Sequence, residues 1–397
     1  HDRIFSRGNA DENDDANSLN KIKSKNYTQW GNTCAALRWN HIISDRLISN
    51  YTLGFTTFYF SLKSEAELIV KATEHTTGTF KDKFKSNVND ILFKSDFDYF
   101  LSTAHRIKFG GNITRHYFKT AYRSINYHTD SSKNFDTAYY SQRIKGLETS
   151  LYIEDEFTIN KNLSLNAGVA LASLLTDSKM FPSVQPRLAI NYKVADYLSL
   201  KTSYSRMTQF MHMLSNTDGG MPTDIWVPAT RKAVPENASQ YVLGMAWYPL
   251  KSNILEVTAE GFYKTMSNLI DYSDGGSIID GGTINWESVI ETNGTGKAYG
   301  LELMVQKNEG KTTGWIAYTL SRNTRQFENI NSGNPYAYKY DRTHDFSIVA
   351  THRFNEQFTL SGTWVYSTGN PVTLATTQYE LNNMGDYNSF TNTHRYE

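Results

Sequence analysis

The feature that most constrains this chain is a recurring unit of two runs, each about ten residues long, in which apolar and polar side chains alternate across a short turn. The stretch Gln185 to Arg206 is one such unit. Leu188, Ile190, Tyr192 and Val194 oppose Arg187, Ala189, Asn191 and Lys193, and after Ala195-Asp196 the pattern resumes with Leu198, Leu200, Thr202 and Tyr204 opposed by Ser199, Lys201, Ser203 and Ser205. A period of two places each set on one face of a strand, so the unit is a β-hairpin with an apolar and a polar side.

Six further pairs follow the same plan: Thr28–Ile42 with Leu47–Phe60, Asn87–Tyr99 with Arg106–His116, Ser150–Ile159 with Leu163–Leu174, Ser239–Trp247 with Ile254–Lys264, Ala298–Lys307 with Trp315–Arg322, and Phe346–Phe354 with Phe358–Tyr366. That gives seven hairpins, about 14 strands in all. Turns within hairpins are short. The connections between them (residues 61–86, 117–148, 175–185, 207–238, 265–297 and 323–345) are mostly long and rich in Asn, Asp, Ser, Thr and Gly. If every strand crosses the same slab, the short turns lie on one side of it and the long loops on the other, as in a bacterial outer-membrane barrel. Ten residues suffice for a tilted strand to cross a bilayer.

Composition agrees with that reading. Hydrophobic residues are 39% of the 397, yet aromatics reach 14%, with 26 Tyr and 21 Phe. A large dry core would draw on more Leu, Ile and Val. The 40 basic and 40 acidic residues cancel, so no global field favours nucleic acid as a partner. One cysteine, Cys34, excludes an internal disulfide and reads as a small packing residue. No run of about 18 apolar residues exists for a spanning helix. His1 to Leu19 lacks the apolar segment of a secretory signal, so any signal is expected to be removed or to lie upstream.

The polar faces carry charges and amides on strand after strand, which a wet interior tolerates and a dry one does not. Leu188 and Ile190 are therefore expected to touch lipid, and Arg38, Glu154, Glu156, Arg187 and Lys201 to face a lumen. Aromatics near strand ends (Trp39, Phe58, Phe60, Tyr197, Trp247, Tyr248, Phe354 and Tyr366) suit interfacial girdles.

Several segments then resemble one family. Gln185 to Asn216, EVTAEGFYKTMSNLIDY (Glu256 to Tyr272), Gly294 to Phe327, YKYDRTHDFSIV (Tyr338 to Val349), WVYSTGNPVTL (Trp364 to Leu374), Trp30 to Phe55 and LYIEDEF (Leu151 to Phe157) are similar, in order and spacing, to the barrel of TonB-dependent outer-membrane receptors of the Bacteroidetes type. The resemblance implies an all-β, antiparallel transmembrane β-barrel segment, about 14 strands of an expected 22-stranded barrel. It implies a polar loop at residues 1–27, the barrel segment at 28–366 and an extracellular tail at 367–397, with the plug, the TonB box and the remaining strands outside this chain. The implied activity is import of a large nutrient (siderophore, oligosaccharide or peptide) driven by the TonB complex acting through the plug region. A surface lipoprotein is a further implied partner, outer-membrane lipid surrounds the wall, and no cofactor is implied. The alternative is a non-transporting surface barrel, an adhesin or structural partner in an envelope complex.

Candidate site residues come from the longest connections. Phe210, His212, Trp226, Tyr272, Trp286, Tyr336 and Tyr338 place flat rings among amides and charges, which suits a polar, partly planar ligand; each ring equally suits packing of loop on loop. The sequence Tyr340 to Asp345 is the densest polar cluster, and Asp341, Arg342, His344 and Asp345 read as a structural rim network in which Arg342 bridges the two aspartates. Met211, His212 and Met213 are soft donors, but a loop contact fits them better than a metal. The acidic run Asp11 to Asp15, TDGG at Thr217 to Gly220 and SDGG at Ser273 to Gly276 lack calcium-loop spacing and read as solvated turns. Glu154 and Glu156 share a strand face, yet a charge ladder toward arginines such as Arg38 and Arg187 explains them better than a paired-carboxylate hydrolase. No HExxH, GxSxG, CxxC or P-loop occurs, so no enzyme is expected.

Overall fold

The computed structural model describes residues 2–12, 20–70, 75–129, 134–140, 143–176, 179–215, 224–250, 254–276, 278, 285–372, 377–380 and 388–391. The strands are β1 (Asp2–Glu12), β2 (Asn20–Ser44), β3 (Leu47–Val70), β4 (His75–Phe100), β5 (His105–Thr129), β6 (Phe135–Tyr140), β7 (Arg143–Asn160), β8 (Leu163–Thr176), β9 (Met180–Ala195), β10 (Leu198–Gln209), β11 (Met211–Leu214), β12 (Ile225–Pro228), β13 (Glu236–Trp247) and β14 (Leu255–Tyr272). They continue as β15 (Ile290–Lys307), β16 (Thr312–Gln326), β17 (Tyr336–Ala337), β18 (His344–Arg353), β19 (Thr359–Ser367), β20 (Thr377–Glu380) and β21 (Asn388–Thr391). Two short 3₁₀ turns, Trp286–Val289 and Asn331–Gly333, are the helical pieces among the described residues.

Seventeen strands form one sheet. Each long strand lies antiparallel beside the next in the chain, from β1 and β2 through β5, β7 to β10, β13 to β16, and on to β18 and β19. The short β6 and β17 add to β5 and β16. All seven expected hairpins are present. In the opening example Leu200 stands opposite Tyr192 and Tyr204 opposite Leu188, so apolar meets apolar across the ladder.

Three expected connections are largely strand instead. β3 and β4 continue in register through Leu62↔Phe84 and Lys63↔Lys83, β5 continues to Thr129, and β8 and β9 pair through Leu175↔Met180. The expected polar loop 1–27 also includes strand, since β1 pairs residue by residue with Asn20 to Trp30 of β2. The physical reason is that only the outward apolar periodicity ends there, while the backbone ladder needs no outward apolar side chain to propagate. At about 3.3 Å per residue, strands such as β2 to β5 are some 80 Å long, well beyond a bilayer core. In the expected tail, β20 and β21 form a separate hairpin.

The sheet's two faces divide as expected. Exposed apolar residues recur on one face: Leu37 and Trp39 on β2, Leu53 and Phe55 on β3, Ile91 and Phe93 on β4, Leu151 and Ile153 on β7, Leu188 on β9, Leu243 on β13 and Leu301 on β15. A ring ladder, Trp39–Tyr51–Phe97–Phe109, runs across four strands of this face near the short turns. The opposite face carries ion pairs and, farther from the short turns, a packed apolar cluster. Phe58 and Phe60, expected in a girdle, belong to that inner cluster. Their parity in β3 is that of Thr52, Gly54 and Thr56, opposite to that of Leu53 and Phe55.

Candidate functional site

The inner face begins near the short turns with a polar network. Arg106 reaches Asp98 at 2.8 Å and Glu156 at 3.4 Å, and Lys108 also pairs with Glu156. Glu154 accepts from Asn166 Nδ2 at 2.9 Å and faces Arg187 Nη1 at 3.4 Å. Tyr152 Oη donates to Asp96 at 2.6 Å. Alternation alone assembles this set, because each contributing strand offers every second residue inward. Lys201 lines an inner depression with Glu156 and Glu260. Arg38 is exposed at the same level, opposite Thr52, which itself stands opposite Lys94. With Arg187 45% and Glu154 13% exposed, the pair is hydrated on one side and contributes at most about 1 kcal/mol.

Farther along, the connections from β10 to β18 fold inward and cap the wall. The β11–β12 hairpin brings Leu214, Ile225 and Val227 against Phe60 of β3, Phe84 of β4 and Ala121 of β5, together with Ile270, Tyr272, Ile278, Trp286 and Ile290. A second cluster joins Leu269, Phe327, Ile330, Tyr336 and Ala337. A third sets Phe210 and Ala229 on Ala172, Leu174 and Phe181 of the wall. Each fully buried Leu, Ile, Val or Phe contributes roughly 1.5–3 kcal/mol, so the cap is held mainly by apolar burial on the far wall.

Several polar groups inside the cap are paired. His212, fully buried, has Nδ1 2.9 Å from Glu236 Oε1 and Nε2 3.3 Å from the Ala233 carbonyl, so both ring nitrogens are engaged by protein. Tyr336 Oη donates to Asp271 at 2.6 Å. Arg325 Nη1 donates to the Ile270 carbonyl at 3.2 Å, and its guanidinium lies 3.5 Å from the centre of the Tyr338 ring. Burial pushes the Tyr338 phenol above its ordinary range, which keeps it neutral beside Arg325. Lys339 reaches Asp224 at 3.0 Å, and Tyr340 donates to the same carboxylate. These contacts tie the last long connection to the β11–β12 hairpin.

Of the seven ring residues expected at a ligand, six (Phe210, His212, Tyr272, Trp286, Tyr336 and Tyr338) are buried in this cap. Their packing reading describes this state. Trp226 differs: it is half-buried and, with Met211 of the same hairpin, lines a cavity of about 300 Å³ on the inner face beside Cys34, Thr56, Phe58 and Asp90. Nothing in the sequence brought Cys34 and Trp226 to one cavity, because that depends on the hairpin crossing to the opposite wall.

The rim network also differs from its expected wiring. Asp341 accepts from the Asn323 backbone N–H at 2.6 Å and faces Arg322 at 3.6 Å. Arg342 instead donates to Asn370 at 3.1 Å and to Ser367 at 3.2 Å. It therefore ties the turn before β18 to the end of β19 rather than Asp341 to Asp345, because its exposed side chain leaves the turn toward the neighbouring strand. Burial raises Asp341 above the usual carboxylate range, against the lowering effect of the Asn323 N–H and Arg322. His344 Nδ1 meets Tyr318 Oη at 2.9 Å, and Asp345 accepts from Ser347 at 3.5 Å. SDGG forms a turn with Gly275 at φ +73°, its Asp274 accepting from the Asn331 N–H at 3.2 Å. TDGG and residues 13–15 of the acidic run lie outside the described residues.

Among solved structures, the chain is similar to FpvA of P. aeruginosa bound to a heterologous pyoverdine and iron (TM-score 0.54, 11% identity), covering 99% of this chain and 57% of that one. It is also similar to the FrpB iron transporter of Neisseria meningitidis (TM-score 0.51, 10% identity, 91% and 67% covered) and to the siderophore receptor PirA of Acinetobacter baumannii (TM-score 0.50, 10% identity, 91% and 67% covered). At these identities the likeness is one of fold, and this chain spans 57% to 67% of the length of those receptors. No protein of curated function matches. The model of the TonB dependent receptor-like β-barrel family matches residues 2–396, in the same two-faced antiparallel sheet that the register and burial describe, and the chain belongs to that family.

Proposed function

We propose that this chain is the wall and extracellular cap of an outer-membrane import receptor of the Bacteroidetes type. A nutrient too large for open diffusion (siderophore, oligosaccharide or peptide) docks at the capped end, and TonB-coupled force on a plug outside this chain admits it to the polar interior. The observation that carries the reading is the cap itself. Three connections fold inward over an ion-paired face and leave half-buried Trp226 beside a cavity at the cap's inner surface. The driving force comes from elsewhere, so the wall needs orientation and hydration rather than a catalytic group. Trp226 is the contact residue in this scheme. The buried rings Phe210, Tyr272, Trp286, Tyr336 and Tyr338 hold the cap and reach a ligand only when it opens. A surface lipoprotein over the loops is compatible with it.

The test is uptake by the full receptor of labelled ferric siderophores, oligosaccharides and peptides at limiting concentration, with and without a functional TonB. Trp226→Ala should lower uptake of the cognate compound at least several-fold while leaving heat-modifiable barrel migration intact. Surface binding with no TonB-dependent uptake of any compound would favour the adhesin or structural-partner reading instead.

A further inference from the structure

The wall is not equally tall all round, and its step leaves a strand edge open. Tyr122↔Tyr140 and Lys119↔Arg143 keep one register along β5, so β6 prolongs β7 upward. β8 accompanies β7 only as far as Gly146↔Thr176 and then turns back as β9. From Lys145 to Phe135, roughly 35 Å of extended chain, the side of β7 and β6 away from β5 therefore meets no other strand among the described residues.

Unpaired edges are usually short, or blunted by Lys, Pro or a covering loop, because a row of free N–H and C=O groups templates another strand. β6 (FDTAYY) has neither Lys nor Pro, and its Thr, Tyr and Phe favour extended backbone. Its rings are uncovered: Phe135 is 48% and Tyr139 45% exposed. They face inward, on the side of the Arg123–Asp82 pair, and Phe80, Tyr127 and Phe135 form a row across β4, β5 and β6. An added strand would extend that row by one place.

Face and edge are coupled in a strand. Inward Thr158 of β7 turns its N–H to the Ala104 carbonyl beside β5, at 2.8 Å, so outward residues turn theirs to the opposite edge. In β6 the outward residues include Asp136 and Ala138, since Asp136 accepts from Asn126 at 2.6 Å on the face opposite to Arg123. Ala138 thus offers its N–H and C=O to the open edge. Lower on that edge Arg143 and Lys145 are exposed and outward, and among the described residues no carboxylate pairs with either.

The occupant such an edge selects is a polypeptide, because only a backbone supplies alternating donors and acceptors at strand spacing. A second copy does not fit: receptors upright in one membrane run β6 in the same direction, whereas the neighbours along this part of the sheet are antiparallel. We propose that the open edge of β6 and upper β7 captures an extended peptide cargo by strand addition, its alternate side chains apolar toward Phe135 and Tyr139 and acidic toward Arg143 and Lys145. The proposal rests on the import reading and narrows the cargo to peptides.

The experiment measures fluorescence anisotropy of a dye-labelled octapeptide of alternating Val and Glu with the full receptor in detergent. Two N-methylated forms, one blocked at the Val amides and one at the Glu amides, keep the side chains and remove the donors of one edge or the other. One form should bind at least about tenfold more weakly and the other like the parent, since each lost ladder bond costs a few-fold. Ala138→Pro should weaken the parent peptide similarly while heat-modifiable migration is retained. Arg143→Gln with Lys145→Gln should weaken it several-fold yet leave a peptide of alternating Val and Gln unchanged. Equal binding of the parent and both N-methylated forms, or undiminished binding by an assembled Ala138→Pro receptor, would overturn the proposal; if that variant fails to assemble, the N-methyl comparison decides. Edge-dependent binding without TonB-dependent uptake of the peptide would overturn its role as cargo and assign the edge to a partner protein's strand. Import itself is judged separately, by uptake of the other labelled compounds.

Discussion

Replacing Trp286 by Ala should loosen the cap while leaving the wall intact. The ring is 3% exposed and packs in the cluster that joins Leu214, Ile225 and Val227 to Phe60 and Phe84 of the wall. A buried Trp removes some 150–250 Å² from water, and large-to-small core changes of this kind cost about 3–5 kcal/mol. The cap joins the wall mainly by apolar contact, whereas β11 and β12 hydrogen-bond chiefly to each other. The loss should therefore appear as local opening rather than global unfolding. At 1.4 kcal/mol per decade, the open population rises by roughly two to four orders of magnitude. Hydrogen exchange read on Met211–Leu214 and Ile225–Val227 should accelerate accordingly, while β13 and β14 remain protected. Unchanged exchange in the hairpin would refute the cap as an apolar unit. Equal acceleration in β13 and β14 would refute its independence from the wall.

Other consequences concern the wall. Gly314 sits at φ +148° with a virtual Cβ 2.1 Å from the Val349 carbonyl oxygen, opposite Ala350 in the β16–β18 ladder; Gly314→Ala should cost about 1–3 kcal/mol and lower the temperature at which heat-modifiable migration is lost. Glu154→Ala should cost under about 1 kcal/mol, because Arg187 keeps its water; a thermal shift as large as that of Gly314→Ala would contradict a hydrated interior. An epitope inserted after Gly333 should be detected on intact cells, and one after Lys161 or Asn355 should not; detection at all three would overturn the orientation. Gly219 and Gly281 would be equivalent insertion points, but they lie outside the described residues.

Much of the wall was legible because alternation is a local property. Once Leu188 is placed outward, Arg187, Ala189 and Asn191 must face inward, and hairpin turns fix the register without distant information. Strand ends were less legible. Lys63, Lys83 and Lys85 look like loop sequence because the outward positions turn polar there, yet they continue β3 and β4, whose apolar residues Phe60, Leu62 and Phe84 now lie on the inner face. The cap was legible only as composition. The rings of 207–238 and 265–297 could serve a ligand or one another, and the choice depends on Phe60 and Phe84 waiting on the opposite wall. Parity did carry a usable signal there, since Phe58 and Phe60 fall on the inner set of β3. For Arg342 no local signal existed: Ser367 and Asn370 are brought beside it only by pairing of β18 with β19.

The central claim is that one face of this sheet meets lipid and the other meets water, and paired cysteine labelling in outer membranes tests it most directly. In a full receptor carrying Cys34→Ser, Leu188→Cys should react with a membrane-soluble maleimide and resist a charged, impermeant thiol reagent, while Lys201→Cys should show the reverse preference in solubilised receptor and stay unreactive toward the lipid-soluble reagent in membranes. Ready reaction of Leu188→Cys with the charged reagent, or preference of Lys201→Cys for the lipid-soluble one, would contradict the assignment of the two faces.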